Sequence, residues 1–455
     1  MQDIRVRKRR AGGTLGQQLP PEIVRGEAAV DLHVDRFLLL LPILGASSPQ
    51  SQRAYAHDLA VWIRYLEQAC GTSVWQAREE HLRGFREVRR NPLSSSAVLA
   101  PTWNRQLVAI EKLYNWALEE KLITELPYRL KQKLIHLPDR RSAIVEQSTA
   151  REGVRDARET LYLTLNEYKF FRDVGLGRSH GTDFKRSRNV ARNLVFADLL
   201  VTTGLRLQEG GALFAEEIPQ RAAFDGPNQL PIRLPAGLTK GGVERTVRVS
   251  QSVLHRLRNY IEIERPHAVS KFRARKKWMD MEHPIFCRSQ TLKHMEIKSD
   301  EGQWRQIATR HLRPGERMRM ILCNQDGDPQ EPAIVWLTET GLPLELNSWE
   351  VAFRRAADRC NQAGAVMHVH PHKLRHTFAV HMLLMLRARL EMEWREVVPK
   401  GYGSITEEPL RTLQRLLGHA SISTTERYAG PANEMLDVLP EDLVRFVNLL
   451  TETHT

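Results

Sequence analysis

The sequence has 455 residues, of which 42% are hydrophobic and 27% charged, with a formal net charge of +13. This length favours two or three domains and the composition excludes a largely disordered chain; no stretch reaches the roughly 20 apolar residues that span a membrane, so we expect a cytoplasmic protein. The positive charge attracts polyanions, which makes nucleic acid the leading candidate partner.

The first third of the chain predicts a basic N-terminal extension over residues 1–30 and then a helical domain over residues 31–135. In that domain apolar residues recur at helical spacing, for example Leu59, Trp62 and Ile63. Residues 136–158 turn polar and charged with little apolar periodicity, which is typical of an interdomain linker.

Residues 159–455 predict a second module that is rich in helix. Two short strands at 231–234 and 245–249 flank a glycine-rich loop, whereas residues 262–330 are basic and irregular and suggest an insertion. An amphipathic helix is predicted to start near Leu439, close to the end of the chain. The expected fold class is α+β, mainly α with a small β-sheet.

The first candidate functional residues follow an apolar helix that Gly204 is expected to end. Arg206 then lies at a helix-to-helix junction, where its guanidinium can present several donors to a phosphate, and Glu209 three residues later can hold it. This spacing by itself is also typical of an ordinary surface ion pair.

Lys240 is the second candidate, in the glycine-rich loop between the two predicted strands. Gly241 and Gly242 follow it and permit positive φ, so the lysine is placed on a hairpin tip that can enter a DNA groove. An exposed hairpin lysine without a role has the same local sequence.

His372 and Arg375 form the third candidate group. Pro371 suits the first turn of a helix, and the spacing of three residues places the histidine and the arginine on one helix face.

Several histidines surround this pair and raise the question of a metal site; they are His368, His370, His372, His376 and His381. Imidazole is a common zinc ligand, but no acidic or cysteine ligand accompanies the cluster and Arg375 would repel a cation. The four cysteines are far apart in the sequence. We therefore predict no metal and no cofactor, and interpret the remaining histidines as packing or solvent-facing residues.

The fourth candidate group contains His419 and Tyr428. Gly418 is expected to end a helix, and Ser423 with Glu426 forms a capping-box pattern that would start the next helix and place Tyr428 in its second turn. A tyrosine at such a position is on its own an ordinary half-buried aromatic residue.

The order of these groups along the chain resembles the tyrosine recombinase, or phage integrase, family, which includes lambda-type integrases and Xer recombinases. The resemblance covers the module from about Leu161 onward, and the segment from Ser48 to Pro127 is similar to the family's core-binding domain. It implies a helical DNA-binding domain followed by a catalytic domain. The stretch between the hairpin and His372 and the basic segment 175–188 are both longer than is usual in the family.

The resemblance also implies a role for each candidate residue. Arg206 and Arg375 would bind the scissile phosphate, and Lys240 would serve the leaving 5′-oxygen. His372 and His419 would assist at the phosphate and in proton transfer. Glu209 would support the site, and Tyr428 would be the nucleophile that forms a 3′-phosphotyrosine bond.

These roles fit the chemistry of a phosphodiester, because cations stabilise the charge that develops on its oxygens, while a phenol needs its proton removed before it attacks well. Either His372 or the phosphate itself could accept that proton.

The implied function is site-specific cleavage and rejoining of double-stranded DNA, for integration, excision or transposition, by a homo-oligomer of two to four copies. Three other functions remain open from the sequence. A type IB topoisomerase-like enzyme uses similar residues but rejoins the same strand, and an integrase homologue that has lost catalysis would only bind DNA. A basic RNA-binding protein would account for the charge but not for the order of the motifs.

Overall fold

The computed structural model describes residues 3–9, 19–136, 142–153, 162–177, 189–224, 228–288, 291–397 and 409–434. The chain divides into two compact units, Met1–Ala157 and Arg158–Thr455. The predicted helix near Leu439 and most of the basic segment 175–188 lie outside the described residues. None of the helices in the described ranges is long and apolar enough to cross a membrane.

The first unit combines helices with short strands. Its α-helices are Leu32–Leu40, Pro49–Ala69, Glu79–Arg90 and Ala100–Glu119. Its strands are Ile4–Arg7, Glu22–Arg25 and Ala28–Ala29 in one antiparallel sheet, and Leu130–His136 with Ser142–Ser148 in a hairpin. The long helices begin with Pro49 and near Pro101, where a proline lacks the N–H that a helix start leaves unused.

Aromatic residues fill the core of this unit. Trp62 donates a hydrogen bond to the Tyr114 hydroxyl at 2.9 Å, and that hydroxyl donates to the Val74 carbonyl at 2.7 Å, so the polar atoms of these two side chains are paired. Segments outside the predicted helical domain also belong to the unit: Ile4 is buried in its core, and Glu152 exchanges backbone hydrogen bonds with the Asn104 side chain. The predicted extension and linker are therefore partly built into this unit.

The second unit is mainly helical with small sheets, which confirms the predicted fold class. Its α-helices are Leu165–Phe170, Val190–Thr203, Leu207–Gly211, Gln251–Asn259, Arg265–Ala274, Pro314–Arg317, Leu346–Gln362, Pro371–Val397, Pro409–Leu417, Ser423–Glu426 and Ala429–Glu434. Short π-helical turns cover Phe171–Gly177 and Tyr260–Glu264. The helix Val190–Thr203 packs against Pro371–Val397, and Phe196 stacks on Trp349 with ring centroids 3.7 Å apart. This packing brings two groups of candidate residues together.

Two sheets complete this unit. The predicted hairpin is present as Gln229–Leu234 paired with Arg245–Ser250. The region that we interpreted as an irregular insertion contains a five-stranded sheet, in the spatial order Trp304–Ala308, His294–Lys298, Ile285–Arg288, Met320–Cys323 and Pro329–Pro332. Ile285–Arg288 and Met320–Cys323 are parallel, and the other neighbours are antiparallel.

The inserted sheet is anchored beside the helix Leu207–Gly211 by a buried arginine. Arg317 donates to the Ala212 carbonyl at 2.7 Å, forms an ion pair with Glu217, and places its guanidinium 3.5 Å from the centre of the Phe214 ring. Because a buried guanidinium is stable only when it is paired, these contacts fix the insertion to the part of the chain that carries Arg206.

Candidate active site

Arg206 lies where the sequence predicted it, at the junction between two helices. Gly204 ends the first helix with φ +65°, a conformation that favours glycine, and Arg206 directly precedes the helix Leu207–Gly211. A Cβ on Gly204 would meet the Phe378 ring at 2.8 Å, so the close approach also requires glycine. The arginine is therefore presented from a fixed turn.

Glu209 is the buried centre of a cluster of two arginines. Its carboxylate accepts hydrogen bonds from the Arg206 backbone N–H at 2.8 Å and from the Arg206 guanidinium at 3.0 Å. Arg245 adds two more bonds, at 2.8 and 2.7 Å, to the two carboxylate oxygens. Burial alone would raise the pKa of Glu209, but the Arg245 and Arg206 guanidinium groups outweigh it, and the pKa is lowered.

Arg375 extends from the helix Pro371–Val397 to the turn at Gly204 that precedes Arg206. Its side chain is 1% exposed and donates to the carbonyl oxygens of Gly204 and, at 2.7 Å, of Leu417. Arg206 also approaches the neighbouring Gly418 carbonyl, at 3.4 Å. Arg206 and Arg375, the two predicted phosphate ligands, thus meet at two backbone turns, the first at Gly204 and the second at Leu417 and Gly418.

His419 is held on the second of these turns. Its backbone N–H bonds to the Gln414 carbonyl at 3.0 Å, and its Nδ1 lies 2.9 Å from the Thr425 hydroxyl. Gly418 has φ +64°, which confirms that it ends the preceding helix. The His419 ring is nearly parallel to the Tyr428 ring, with centroids 6.3 Å apart.

Tyr428 lies close to the other candidates, but the local structure around it differs from the prediction. The helix Ser423–Glu426 is a single turn, and Tyr428 follows it in the turn that leads to Ala429–Glu434. The expected capping box is wrong, because Ser423 is the first helical residue and its own N–H bonds to the Ser421 hydroxyl at 3.3 Å.

The Tyr428 hydroxyl contacts His376, which we interpreted from the sequence as a packing or solvent-facing histidine. His376 Nδ1 lies 2.9 Å from the Tyr428 oxygen, and the tyrosine is 1% exposed within a cluster that includes Phe378, Leu413 and Leu417. Burial raises the pKa of Tyr428, and the charge of Arg375 partly opposes this. The ring is thus fixed and the phenol is protonated in the free protein.

His372 is connected to Tyr428 through His376. The two histidine rings meet edge to face with centroids 4.4 Å apart. Partial burial and the Arg375 charge lower the pKa of His372, although its outer edge is exposed and solvent screens part of the effect.

Lys240 stands apart from the other six predicted residues. It is exposed at the tip of the hairpin loop, and within the described residues no hydrogen bond or ion pair joins it to them. Gly242 has φ +66° in this loop, as the glycine-rich sequence predicted. The structure places Lys240 on the expected loop without bringing it to the cluster.

The arginines give the cluster an excess of positive charge, which together with burial lowers the pKa values of Arg375, His376 and His419. Burial and the Arg206 charge lower the pKa of Arg375 to about 9. Burial and neighbouring charged or basic groups, led by Arg375 for His419 and by His372 for His376, lower the pKa of both histidines to about 3. Every one of these shifts would be reduced by an anion placed among the cations.

The other histidines of the predicted cluster are dispersed. His381 is buried and bonds to the Leu163 carbonyl at 3.0 Å, while His368 and His370 lie 5.8 Å apart between ring centroids. In the ranges that the structure describes, no three His, Cys, Asp or Glu side chains are grouped so that they could hold a metal ion.

Two residues of the cluster were missed at the sequence level, Arg245 and His376. Arg245 was visible only as the first residue of a strand, and His376 only as one histidine among five. The single available signal for His376 was its spacing of four residues from His372, which places both on one helix face.

Comparison with known families gives two matches. The phage integrase N-terminal SAM-like domain matches residues 34–121, and the phage integrase family model matches residues 183–385. The second range contains Arg206, Glu209, Lys240, His372 and Arg375.

Among known proteins, the chain is similar to tyrosine recombinases XerC. That of Staphylococcus saprophyticus is 36% identical over 116 residues, which are 26% of this chain and 26% of the relative. That of Staphylococcus epidermidis is 31% identical over 151 residues, 33% of this chain and 34% of the relative. The chain thus spans between a quarter and about a third of the length of these relatives.

A solved structure, the post-cleavage complex of XerH site-specific recombinase with a palindromic difH substrate, superposes with a TM-score of 0.47 at 15% identity. The superposition covers 88% of this chain and 83% of that one.

Proposed function

Because this chain belongs to the tyrosine recombinase (phage integrase) family, we propose that it is a site-specific recombinase that cuts and rejoins double-stranded DNA through Tyr428. The observation that carries this proposal is the convergence of two arginines and two histidines on the turns that hold a buried tyrosine. The lowered pKa values of Arg375, His376 and His419 indicate that the site lacks an anion, and a scissile phosphate would supply it.

In this mechanism Arg206 and Arg375 bind the non-bridging oxygens of the phosphate. Both arginines are held by backbone and carboxylate groups before DNA arrives, so little reorganisation is needed when charge develops in the transition state. We assign Glu209 and Arg245 no contact with the phosphate. Glu209 instead holds the Arg206 guanidinium in place, and Arg245 holds Glu209.

His419 can add a donor to the same phosphate. If the Thr425 hydroxyl donates to Nδ1, the neutral ring carries its proton on Nε2. This Nε2–H can then donate a hydrogen bond to a phosphate oxygen. His372 lies on the helix face of Arg375 and is proposed to act at the same phosphate and in proton transfer.

The reaction joins the Tyr428 oxygen to phosphorus while the bond from phosphorus to the 5′-oxygen breaks. The phenol gives its proton to His372 or to the phosphate itself, and the leaving 5′-oxygen takes a proton, which we assign to Lys240. Attack by a 5′-hydroxyl of another strand on the phosphotyrosine reverses these changes and completes strand exchange. The number of phosphodiester bonds is conserved, so no nucleotide cofactor enters the balance.

The proposed partner is duplex DNA bound by both units, with the first unit acting as the core-binding domain. We propose that two to four copies assemble on DNA, since exchange between two duplexes requires a nucleophile for each strand that is cut.

The proposal can be tested before the target sequence is known. The full chain is incubated with a pool of duplexes that carry a single nick within randomised sequence, so that a short cleaved strand diffuses away and the covalent complex persists. We expect a protein–DNA adduct that survives a denaturing gel, and sequencing of the trapped DNA then gives the preferred site.

The matched control is Tyr428→Phe, which retains the packed ring but lacks the attacking oxygen. It should bind the selected site and form no adduct. An adduct in this variant, or none with wild-type protein across the pool, would contradict the proposal, and relaxation of supercoiled DNA without exchange between two sites would favour a topoisomerase-like activity.

A further inference from the structure

The hydrogen bond between His376 and Tyr428 is the one direct polar contact that the described residues make to the proposed nucleophilic oxygen. The oxygen and His376 Nδ1 are 2.9 Å apart, and the two ring centroids are 5.6 Å apart. His376 lies on the helix Pro371–Val397, directly after Arg375. A rigid helix thus carries a phosphate ligand and a partner of the tyrosine side by side.

Burial and the charges around His376 keep its ring neutral. Burial is the largest cause of the lowered pKa of about 3, and it is assisted by His372 and Arg375 on the same helix, by Arg427 beside Tyr428, and by His370, which directly precedes the helix. A neutral imidazole has one nitrogen that donates and one that accepts. A phenol hydroxyl is the stronger donor of this pair, so the Tyr428 hydroxyl donates and Nδ1 accepts.

We propose that His376 is a positioning residue for the reaction: its Nδ1 accepts the Tyr428 hydroxyl hydrogen bond and thereby orients the attacking oxygen. The inference rests on the proposed function and adds to it a residue that the cleavage step needs. Without the acceptor, the buried hydroxyl would lose its partner, its hydrogen could turn toward other acceptors, and the oxygen would lose the polar contact that holds it in place.

Binding of DNA should strengthen this contact. A phosphate between Arg206 and Arg375 offsets the positive charge that now lowers the pKa of His376, so the ring becomes a better acceptor when substrate is present. Between pH 5 and 9 the ring is neutral in the free protein, because its pKa of about 3 lies below this range. The contact is therefore available at every pH at which the enzyme would be assayed.

The test compares His376→Ala with His376→Asn on the site selected with wild-type protein. The asparagine Oδ1 occupies the branch position of Nδ1 and accepts hydrogen bonds, but it does not titrate. Single-turnover cleavage is measured at saturating protein, together with the Kd for DNA and the melting temperature. His368→Ala is the matched control, because His368 is an exposed histidine just before the helix.

We expect His376→Ala to slow cleavage about tenfold or more at saturating protein, with a Kd within about twofold of wild type. His376→Asn should recover cleavage to within a few-fold, and His368→Ala should cleave like wild type. Equal cleavage by His376→Ala and wild type would overturn the inference. So would an asparagine variant as slow as the alanine variant while equally stable. If wild-type protein itself forms no adduct, the proposed function fails instead, so the two failures are distinguishable.

Discussion

The buried arginine cluster and the exposed Lys240 loop are two parts of one proposed site, yet they are constructed in opposite ways. Glu209 accepts hydrogen bonds from four N–H groups and Arg375 is almost fully buried, so the proposed phosphate ligands are in place in the free protein. Lys240 is exposed on a glycine-rich tip. The difference suggests that charge stabilisation is preorganised, whereas the acid reaches the reacting oxygen only when DNA is bound.

The base of the Lys240 loop is nevertheless held by the inserted sheet region. A Cβ on Gly237 would lie 2.8 Å from the His311 carbonyl oxygen and would also collide with the Leu312 carbonyl. The Thr239 hydroxyl closes the turn by donating to the Ala236 carbonyl at 3.1 Å. The loop thus has a fixed base and an exposed tip.

The largest effect is expected for Lys240→Ala. Removing a general acid should slow cleavage of normal DNA by about 10²–10⁴-fold, with no change in melting temperature because the side chain is exposed. DNA with a 5′-bridging sulfur should largely rescue the variant, since a thiolate leaves without a proton. If the variant cuts the sulfur substrate no faster than normal DNA, Lys240 is not the acid.

Arg206→Ala and Arg375→Ala should each slow cleavage by about two orders of magnitude, or ~3 kcal/mol of transition-state stabilisation. The sulfur substrate should rescue neither variant, which is the opposite of the result for Lys240. The measurement is the single-turnover rate at saturating protein alongside the Kd for DNA. Cleavage within a few-fold of wild type would remove these arginines from the proposed mechanism.

Glu209→Gln tests the buried cluster through stability and its pH dependence. The folded pKa of Glu209 is depressed, so its contribution is fully present above the unfolded pKa and is lost as pH falls through the folded pKa. We expect the variant to unfold with about 2 kcal/mol less free energy than wild type at pH 7. Denaturant titrations should show this difference shrinking below about pH 4. A difference that does not change between pH 7 and pH 3 would contradict the charge pairing.

Gly237→Ala should have the smallest effect and is confined to the loop. The added methyl must displace the loop from the inserted sheet region, so we expect normal DNA to be cut a few-fold more slowly. The sulfur substrate should be cut at nearly the wild-type rate, because only delivery of the proton is impaired. Gly241→Ala is the control, since nothing lies within 4 Å of a Cβ at that position. Equal slowing on both substrates would indicate a general loss of structure.

The sequence predicted those parts of the site that depend on neighbouring residues. Gly204, Arg206 and Glu209 form a helix stop followed by a pair at a spacing of three, and the structure contains both the stop and the pair. Arg245 and His376 were missed because their partners lie 36 and 52 residues away along the chain. Local spacing carries no signal for such contacts.

The inserted sheet escaped prediction for a related physical reason. Its strands are four or five residues long, and its parallel pair, Ile285–Arg288 with Met320–Cys323, joins segments more than 30 residues apart. Alternation over so few residues, interrupted by charged side chains, resembles a loop. The prediction of Tyr428 in a longer helix was wrong because hydrogen bonds at a spacing of three, such as Tyr428 N–H to the Thr425 carbonyl, end each short turn.

The measurement that bears most directly on the central claim is identification of the residue that becomes joined to DNA. Wild-type protein trapped on the selected nicked duplex is digested with nuclease and protease, and the modified peptide is sequenced by mass spectrometry. We expect one nucleotide adduct, on Tyr428, through a 3′-phosphate, with a free 5′-hydroxyl on the released strand. An adduct on another residue, or a bond to a 5′-phosphate, would contradict it.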